Sequence, residues 1–415
     1  MNSNQYITNY FLFLFSIIPV TMIIGSGVSV FNILLIDLSF IMVIVFRKDF
    51  SFLKSKPIIY LLVLYVYLIF NSFISLNFSN GLLRNFGFLR MIILFAAFNY
   101  FFLDEKFYRK IFKFWMLTII IVLIDVLIES FTGKNILGFG NEYYPRAVSF
   151  FKDEQIVGSF LNGFYLILAG FLFNELKKKN LLYVFALIFI FIIAIILTGE
   201  RSTSIKAFFG LTFFLFFLKV VDLKKRIALM LALIVFLIFS LLNSHFLQIR
   251  YINQIKTAIT KISSGPGQST YFGLYTSGLE VFKNHKIFGV GNKNYRVETC
   301  ENKKDFGPTG KTRKYYCSTH PHQIYFELLS EHGIIGTFII IFVLFKLVFF
   351  KVFNVMRTSN YLKLGSFIYM MLVFTPLLPS GAFFNNFLLT IFMINLSIFY
   401  ALDKSSNIFR YENNR

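Results

Sequence analysis

A 415-residue chain that is 57% hydrophobic, with 59 phenylalanines and a mean hydropathy of +0.69, is not an ordinary soluble domain. Its apolar runs are about 20 residues long, the length that crosses a bilayer. The formal charge of +21 would suggest nucleic acid in a soluble protein, but here the Lys and Arg residues cluster in short loops between apolar runs, so no nucleic-acid partner is expected.

In chain order, apolar runs lie near 8–25, 29–46, 58–77, 83–102, 111–131, 156–175, 181–199, 203–220 and 227–245, and after a long polar stretch near 334–352, 362–379 and 383–401. They predict an all-α polytopic membrane protein of about twelve transmembrane helices, with one large outer loop between helices 9 and 10. The first run has no basic segment before it and leads directly into the second, so it reads as a span and not as a cleaved leader. With the N-terminus in the cytoplasm, the inside loops hold Arg47, Lys48, Lys54 and Lys56, then Lys106, Arg109 and Lys110, then Lys177, Lys178 and Lys179, then Lys219, Lys224, Lys225 and Arg226. The opposite turns at 26–28, 78–82 and 380–382 hold no Lys or Arg, and this asymmetry puts the stretch from about 246 to 322 outside. The expected organisation is helices 1–9 over 1–245, an outer loop with a site-bearing helix over 246–333, and helices 10–12 with a cytoplasmic tail over 334–415.

Charges inside apolar runs are costly unless paired or facing water. Arg84 and Arg90 in the fourth run, Asp125 and Glu129 in the fifth and Lys206 in the eighth are of this kind. Asp125 and Glu129 lie one helical turn apart, a spacing that a transporter's proton relay would also use, although no periodic acidic partners accompany them in other runs. The outer loop holds about twelve Lys and Arg against four Asp and Glu, so an anionic partner is implied, with anionic lipid head groups as the alternative. Cys300 and Cys317 are the only cysteines, and both lie there. In an oxidising compartment a disulfide between them would be worth about 2–4 kcal/mol. Two free thiols are the alternative, and a zinc site with His320 and His322 lacks a tight Cys-x-x-Cys pair.

The stretch from Cys317 to Gly336 is where titratable side chains run straight into a span, and it carries His320, His322 and His332. Pro321 suits the first position of a helix that Gly333 could end, which would put His322 in the first turn. The positive end of the helix dipole disfavours imidazolium, leaving a neutral ring able to accept a proton. A general base needs that state.

The same stretch, His320-Pro321-His322-Gln323-Ile324-Tyr325 through Glu331-His332-Gly333 to Gly336, resembles the signature of the O-antigen ligase and O-antigen polymerase superfamily, membrane glycosyltransferases that use glycans linked to polyprenyl pyrophosphate. The resemblance places the family's functional histidine at His322, with Tyr325, Glu331, Gly333 and Gly336 in register and Gln323 in place of the usual Asn. Thr198-Gly199-Glu200-Arg201-Ser202 resembles the family's Thr-x-Ser-Arg segment and puts the functional arginine at Arg201; a snorkelling anchor is the alternative for such a residue. The segment from Arg146 to Glu154 is similar to the family's Arg-x-x-Gly-x-Phe segment with Ser149 for Gly, and Gly278 to Gly291 is similar to the segment ending in Pro-Leu-Phe-Gly-Val-Gly. An isolated Gly-x-Gly is otherwise a turn needing positive φ.

The resemblance, over about 185–350, implies a multi-pass protein of the bacterial inner membrane with its site facing the periplasm. The implied reaction moves a glycan from an undecaprenyl-pyrophosphate-type lipid donor to a sugar hydroxyl, in O-antigen or other surface polysaccharide assembly. Arginines would hold the pyrophosphate, His322 would take the acceptor proton, and neither metal nor cofactor would be needed. Consistent with a lipid-linked donor, the chain has no Asp-x-Asp motif and no nucleotide-binding glycine loop. Expected site residues are His322 and Arg201 for catalysis, and Arg146, Arg84, Arg296, Arg250, Tyr325, Glu331 and His320 for substrate. Arg84 could instead pair with Asp125 or Glu129. The acceptor is another lipid-linked repeat unit for a polymerase or the lipid A core for a ligase. Ligases usually carry a second arginine upstream of Gly-Val-Gly, where this chain reads Thr270-Tyr271-Phe272-Gly273, so the reading leans to polymerase, with Arg250 or Arg296 as possible substitutes. A flippase or other transporter would instead spread functional charges through the bundle.

Overall fold

Caps and breaks in the sequence set the helix boundaries in the computed structural model, which describes residues 3–140, 146–152, 154–175, 181–263, 270–301, 315–403 and 405–409. Lys177, Lys178, Lys179 and Asp153 lie outside the described residues. Helices α1 (Ser3–Ser16) and α2 (Ile18–Ile24) form an apolar pair bent by 42°, and Gly25 at φ 149° separates them from α3 (Ser26–Arg47). Pro57 sits in the first turn of α4 (Lys56–Phe73), where a missing N–H costs nothing. Asn77 caps α5 (Phe78–Phe86), which runs through Gly87 into α6 (Phe88–Phe101). Asp104 caps α7 (Glu105–Thr132), and Gly133 closes it from the left-handed region at φ 80°. Helices α8 (Val157–Glu175), α9 (Leu181–Leu197), α10 (Arg201–Phe217) and α11 (Leu223–Asn243) complete the first nine runs. The polar stretch holds α12 (His245–Leu247), a π-helical segment Gln248–Asn253, α13 (Gln254–Ser263) and α14 (Thr270–Asn284). Helices α15 (Ile324–Leu347), α16 (Val352–Met356), α17 (Tyr361–Val373) and α18 (Asn386–Ala401) follow.

Every expected apolar run is helical, but the count of about twelve crossings is not matched by length. Seven helices are long and apolar enough to cross a membrane among the described residues, or eight with α1 and α2 as one bent span. Helices α9, α17 and α18 are apolar but have only 17, 13 and 16 residues, and α10 carries Arg201 and Lys206 within its 17. The runs looked longer in sequence because apolar residues continue into the non-helical turns that end these helices.

Helix α8 is buried along nearly its whole length between α7, α9, α10, α17 and α18. Its approach to α17 is close because a Cβ at Gly170 would lie 2.2 Å from the Tyr361 carbonyl oxygen, and one at Gly365 2.1 Å from that of Leu166. Small residues permit such contacts in membrane helices. Helix α11 stands apart, with Leu233 its one buried residue.

Among the described residues, Asp125 and Glu129 form no ion pair with Arg84 and are instead engaged by loop donors. Asp125 accepts hydrogen bonds from the Ser149 hydroxyl at 2.6 Å and the Ile136 N–H at 2.8 Å. Glu129 accepts from the N–H groups of Val148 and Ser149. Their oxygens satisfy donors of Ile136, Val148 and Ser149 in the connection between α7 and α8, which explains their place in an apolar run.

Helix α15 is interrupted at Gly333 (φ 60°, ψ −167°), and the groups freed there bond to the 286–291 segment. Val290 and Gly291 donate their N–H groups to the carbonyls of Ser330 and Glu331, both at 2.9 Å. In return, the N–H groups of Ile334 and Ile335 reach the carbonyls of Lys286 and Ile287. A Cβ at Gly333 would lie 2.4 Å from the Ile287 backbone, so only glycine fits this crossing. Gly333 therefore breaks α15 and does not end it.

Candidate functional site

A cleft of about 760 Å³ opens between α8, α10, the π-helical segment, α13, α17 and the 374–385 turn. Arg146, Arg201, Lys206 and Arg250 line it against a single carboxylate, Glu200, with His322 on the wall formed by the approach to α15. Low-dielectric walls lined by one sign of charge make it an anion site.

Each arginine is brought in by a different device. Arg146 is held through Nη2, which donates to the Gln155 carbonyl at 2.9 Å. Arg250 lies in the π-helical segment, where Nε donates to the Gly199 carbonyl at 2.8 Å and Nη1 to the Gln254 side chain at 2.6 Å. Arg201 opens α10 with no hydrogen-bond partner among the described residues, leaving its planar fork available to a ligand. Burial, and then the charges of Arg201 and Arg146, push the Arg250 guanidinium below its ordinary value, so the three cations crowd one another when no anion is bound.

Glu200 sets the position of Arg201. Its buried carboxylate accepts from the N–H groups of Gly158 and Ser159 and from the hydroxyls of Ser159 and Thr203. It thereby holds the start of α8 against the start of α10. Burial raises its carboxyl above the ordinary value, opposed by the Ser159 hydrogen bond and the Arg146 charge.

The approach to α15 corrects the placement of His322. The helix starts at Ile324, because the Gln323 side chain accepts from the N–H groups of Tyr325 and Phe326 and so acts as its cap. His322 precedes the helix in the left-handed region at φ 54°, with its carbonyl accepting from the Ser380 N–H at 2.9 Å. Its ring packs on that of His320, with centroids 3.9 Å apart. Burial lowers the His322 imidazole below its ordinary value of 6.5. His320 is pushed down to about 4 by burial, with His322 and Arg84 adding to the effect. The neutral ring thus has desolvation as its cause and not a helix dipole.

That cause carries a prediction. If neutral His322 is the working form, a depressed value keeps it available as the pH falls, so the acid limb of kcat/KM should lie below pH 6.5. A pH–rate profile with half-loss above 6.5 would remove His322 as the titrating base.

The other expected site residues divide. The Tyr325 hydroxyl donates to the Phe374 carbonyl and, with Glu327, which was not among the expected residues and accepts from the Phe383 N–H, builds the seat of His322, while Glu331 accepts from the Tyr295 N–H. Arg84 lies on α5 within electrostatic reach of His320, Glu327 and Glu331 but does not line the cleft. Arg296 is 4.0 Å from Glu301 and also lies outside it. Sequence reasoning missed Glu200 as the organiser of Arg201, and it noted Lys206 only as a costly charge. An acidic residue directly before the functional arginine was the available signal.

Cys300 and Cys317 are joined in a disulfide, 17 residues apart in sequence. Their thiolates are therefore not offered to a metal, and among the described residues no group of three His, Cys, Asp or Glu is arranged to hold one. Non-reduced peptide mapping should find the two cysteines as one cross-linked species, and Cys317→Ser should cost about 3 kcal/mol of stability. Two alkylatable thiols in protein isolated without reductant would contradict the bridge.

A multi-pass helical protein with a cationic cleft beside a membrane helix is the class defined so far. Residues 186–341 match the family model described as O-antigen ligase, a segment from α9 into α15 that contains Arg201, Arg250 and His322. The match supports the O-antigen ligase and polymerase superfamily and implies glycan transfer of that general type. No curated protein sequence matches the chain.

Proposed function

We propose that the chain transfers a glycan from a polyprenyl-pyrophosphate donor to a sugar hydroxyl at the periplasmic face of the bacterial inner membrane. The observation that carries this reading is the convergence of Arg146, Arg201, Arg250 and His322, from four distant segments, on one cleft. The acceptor oxygen attacks the anomeric carbon and its proton passes to His322. The bond from that carbon to the pyrophosphate oxygen breaks, and the lipid pyrophosphate leaves with its charge held by the arginines. Guanidinium suits that task because it stays charged and binds phosphate oxygens through two parallel hydrogen bonds. No metal enters the proposed step.

The sequence leans to polymerase for want of a second arginine upstream of Gly-Val-Gly. Arg250 lines the cleft and supplies such a charge, which removes the ground for that lean. Incubation of the purified chain with lipid-linked donor, with either a second lipid-linked unit or lipid A core as acceptor, tests the reaction and its branch together. No transfer to either acceptor from a pyrophosphate-linked donor would overturn the reading.

A further inference from the structure

The inner end of the cleft holds two donors that the mechanism above does not use. Lys206 lies five residues beyond Arg201, about 7.5 Å further along α10, and lines the same cleft. It has no hydrogen-bond or carboxylate partner among the described residues. The buried Tyr369 of α17 lines the same cleft, and its hydroxyl makes no hydrogen bond to another described residue. Beyond Lys206, α10 runs from Ala207 to Phe217 without another charge. An unpaired ammonium at the border of an apolar stretch costs stability, and such charges are kept for ligands.

We propose that Lys206, assisted by the Tyr369 hydroxyl, binds the lipid-side phosphate of the donor and so makes the cleft selective for a diphosphate over a monophosphate. This rests on the lipid-pyrophosphate reading and adds an orientation to it. The arginines at the mouth take the sugar-side phosphate, while the compact lysine charge takes the second, where the headgroup meets the lipid chain. Two linked phosphates bridge the offset between Arg201 and Lys206, and one does not.

The test uses the full chain in lipid nanodiscs, with inorganic pyrophosphate and inorganic phosphate as competitors of transfer and as thermal stabilisers. Wild type should respond to pyrophosphate at a concentration at least about tenfold lower than to phosphate. Lys206→Met should melt higher than wild type without ligand, lose about tenfold or more of its response to pyrophosphate and keep its response to phosphate. Lys206→Arg should restore most of the difference, which a merely structural lysine would not require. Should Lys206→Met fail to accumulate, Tyr369→Phe carries the same comparison with a smaller expected loss. If pyrophosphate neither competes nor protects wild type, the lipid-pyrophosphate reading fails and this proposal with it. If it acts equally on wild type and Lys206→Met, Lys206 does not read the second phosphate and only this proposal falls.

Discussion

Replacement of His322 by alanine is expected to abolish transfer while the chain still inserts and accumulates. Of the titratable side chains between His320 and His332, His322 alone lines the cleft among the described residues. Its backbone is held through the carbonyl by Ser380, and the seat around it is built by Gln323, Tyr325 and Glu327, none of which the substitution touches. Packing is therefore largely kept. Loss of a positioned base costs about 10²- to 10⁴-fold in rate, which in cells amounts to loss of the product. His320→Ala should be milder, because that ring supports His322 from behind and does not line the cleft. Cells carrying His322→Ala with a normal glycan profile would take the residue out of the reaction.

The second large effect is expected at Arg201, where lysine separates a phosphate grip from a snorkelling anchor. Lysine keeps the charge and anchors a helix end equally well, but it cannot make two parallel hydrogen bonds. Arg201 has no hydrogen-bond partner among the described residues to keep it in place, whereas Arg146 and Arg250 each spend donors on carbonyl or amide oxygens. It is thus the arginine with the most hydrogen-bonding capacity left for a ligand. Loss of the fork in a water-poor cleft should cost about 2–4 kcal/mol of transition-state stabilisation, or roughly 30- to 1,000-fold in rate. Turnover of purified lipid-linked donor measures it. A lysine variant within twofold of wild type would reduce Arg201 to an anchor.

What could be read from the sequence was whatever depends on composition along the chain. Apolar runs became helices, while Arg146, Arg201 and His322 were marked by the resemblance of their segments to the family's motifs. Azimuth around the bundle was not legible. Arg84, Arg296 and Arg250 were all expected to meet substrate, yet only Arg250 turns towards the cleft, since the π-helical segment and the Gly199 carbonyl aim it there. Local competition was hidden too. Pro321 is a good first helical residue, but the Gln323 side chain satisfies two N–H groups at once, which moves the start of α15 and leaves His322 outside it. The place of Glu200 before Arg201 was a signal, but the reach of its carboxylate to the start of α8 was illegible, because the Gly158 and Ser159 N–H groups lie some forty positions away and backbone donors leave no residue-type signature.

The exchange of hydrogen bonds across Gly333 bears on how such a protein can diversify. It fastens 286–291 to 330–335, while the disulfide fastens Cys300 to Cys317, so the chain between the cysteines is gripped at both ends by joints independent of its own sequence. Natural variation there can lengthen, shorten or recharge the chain without unseating His322. An insert can then be exchanged while the seat of His322 is inherited intact.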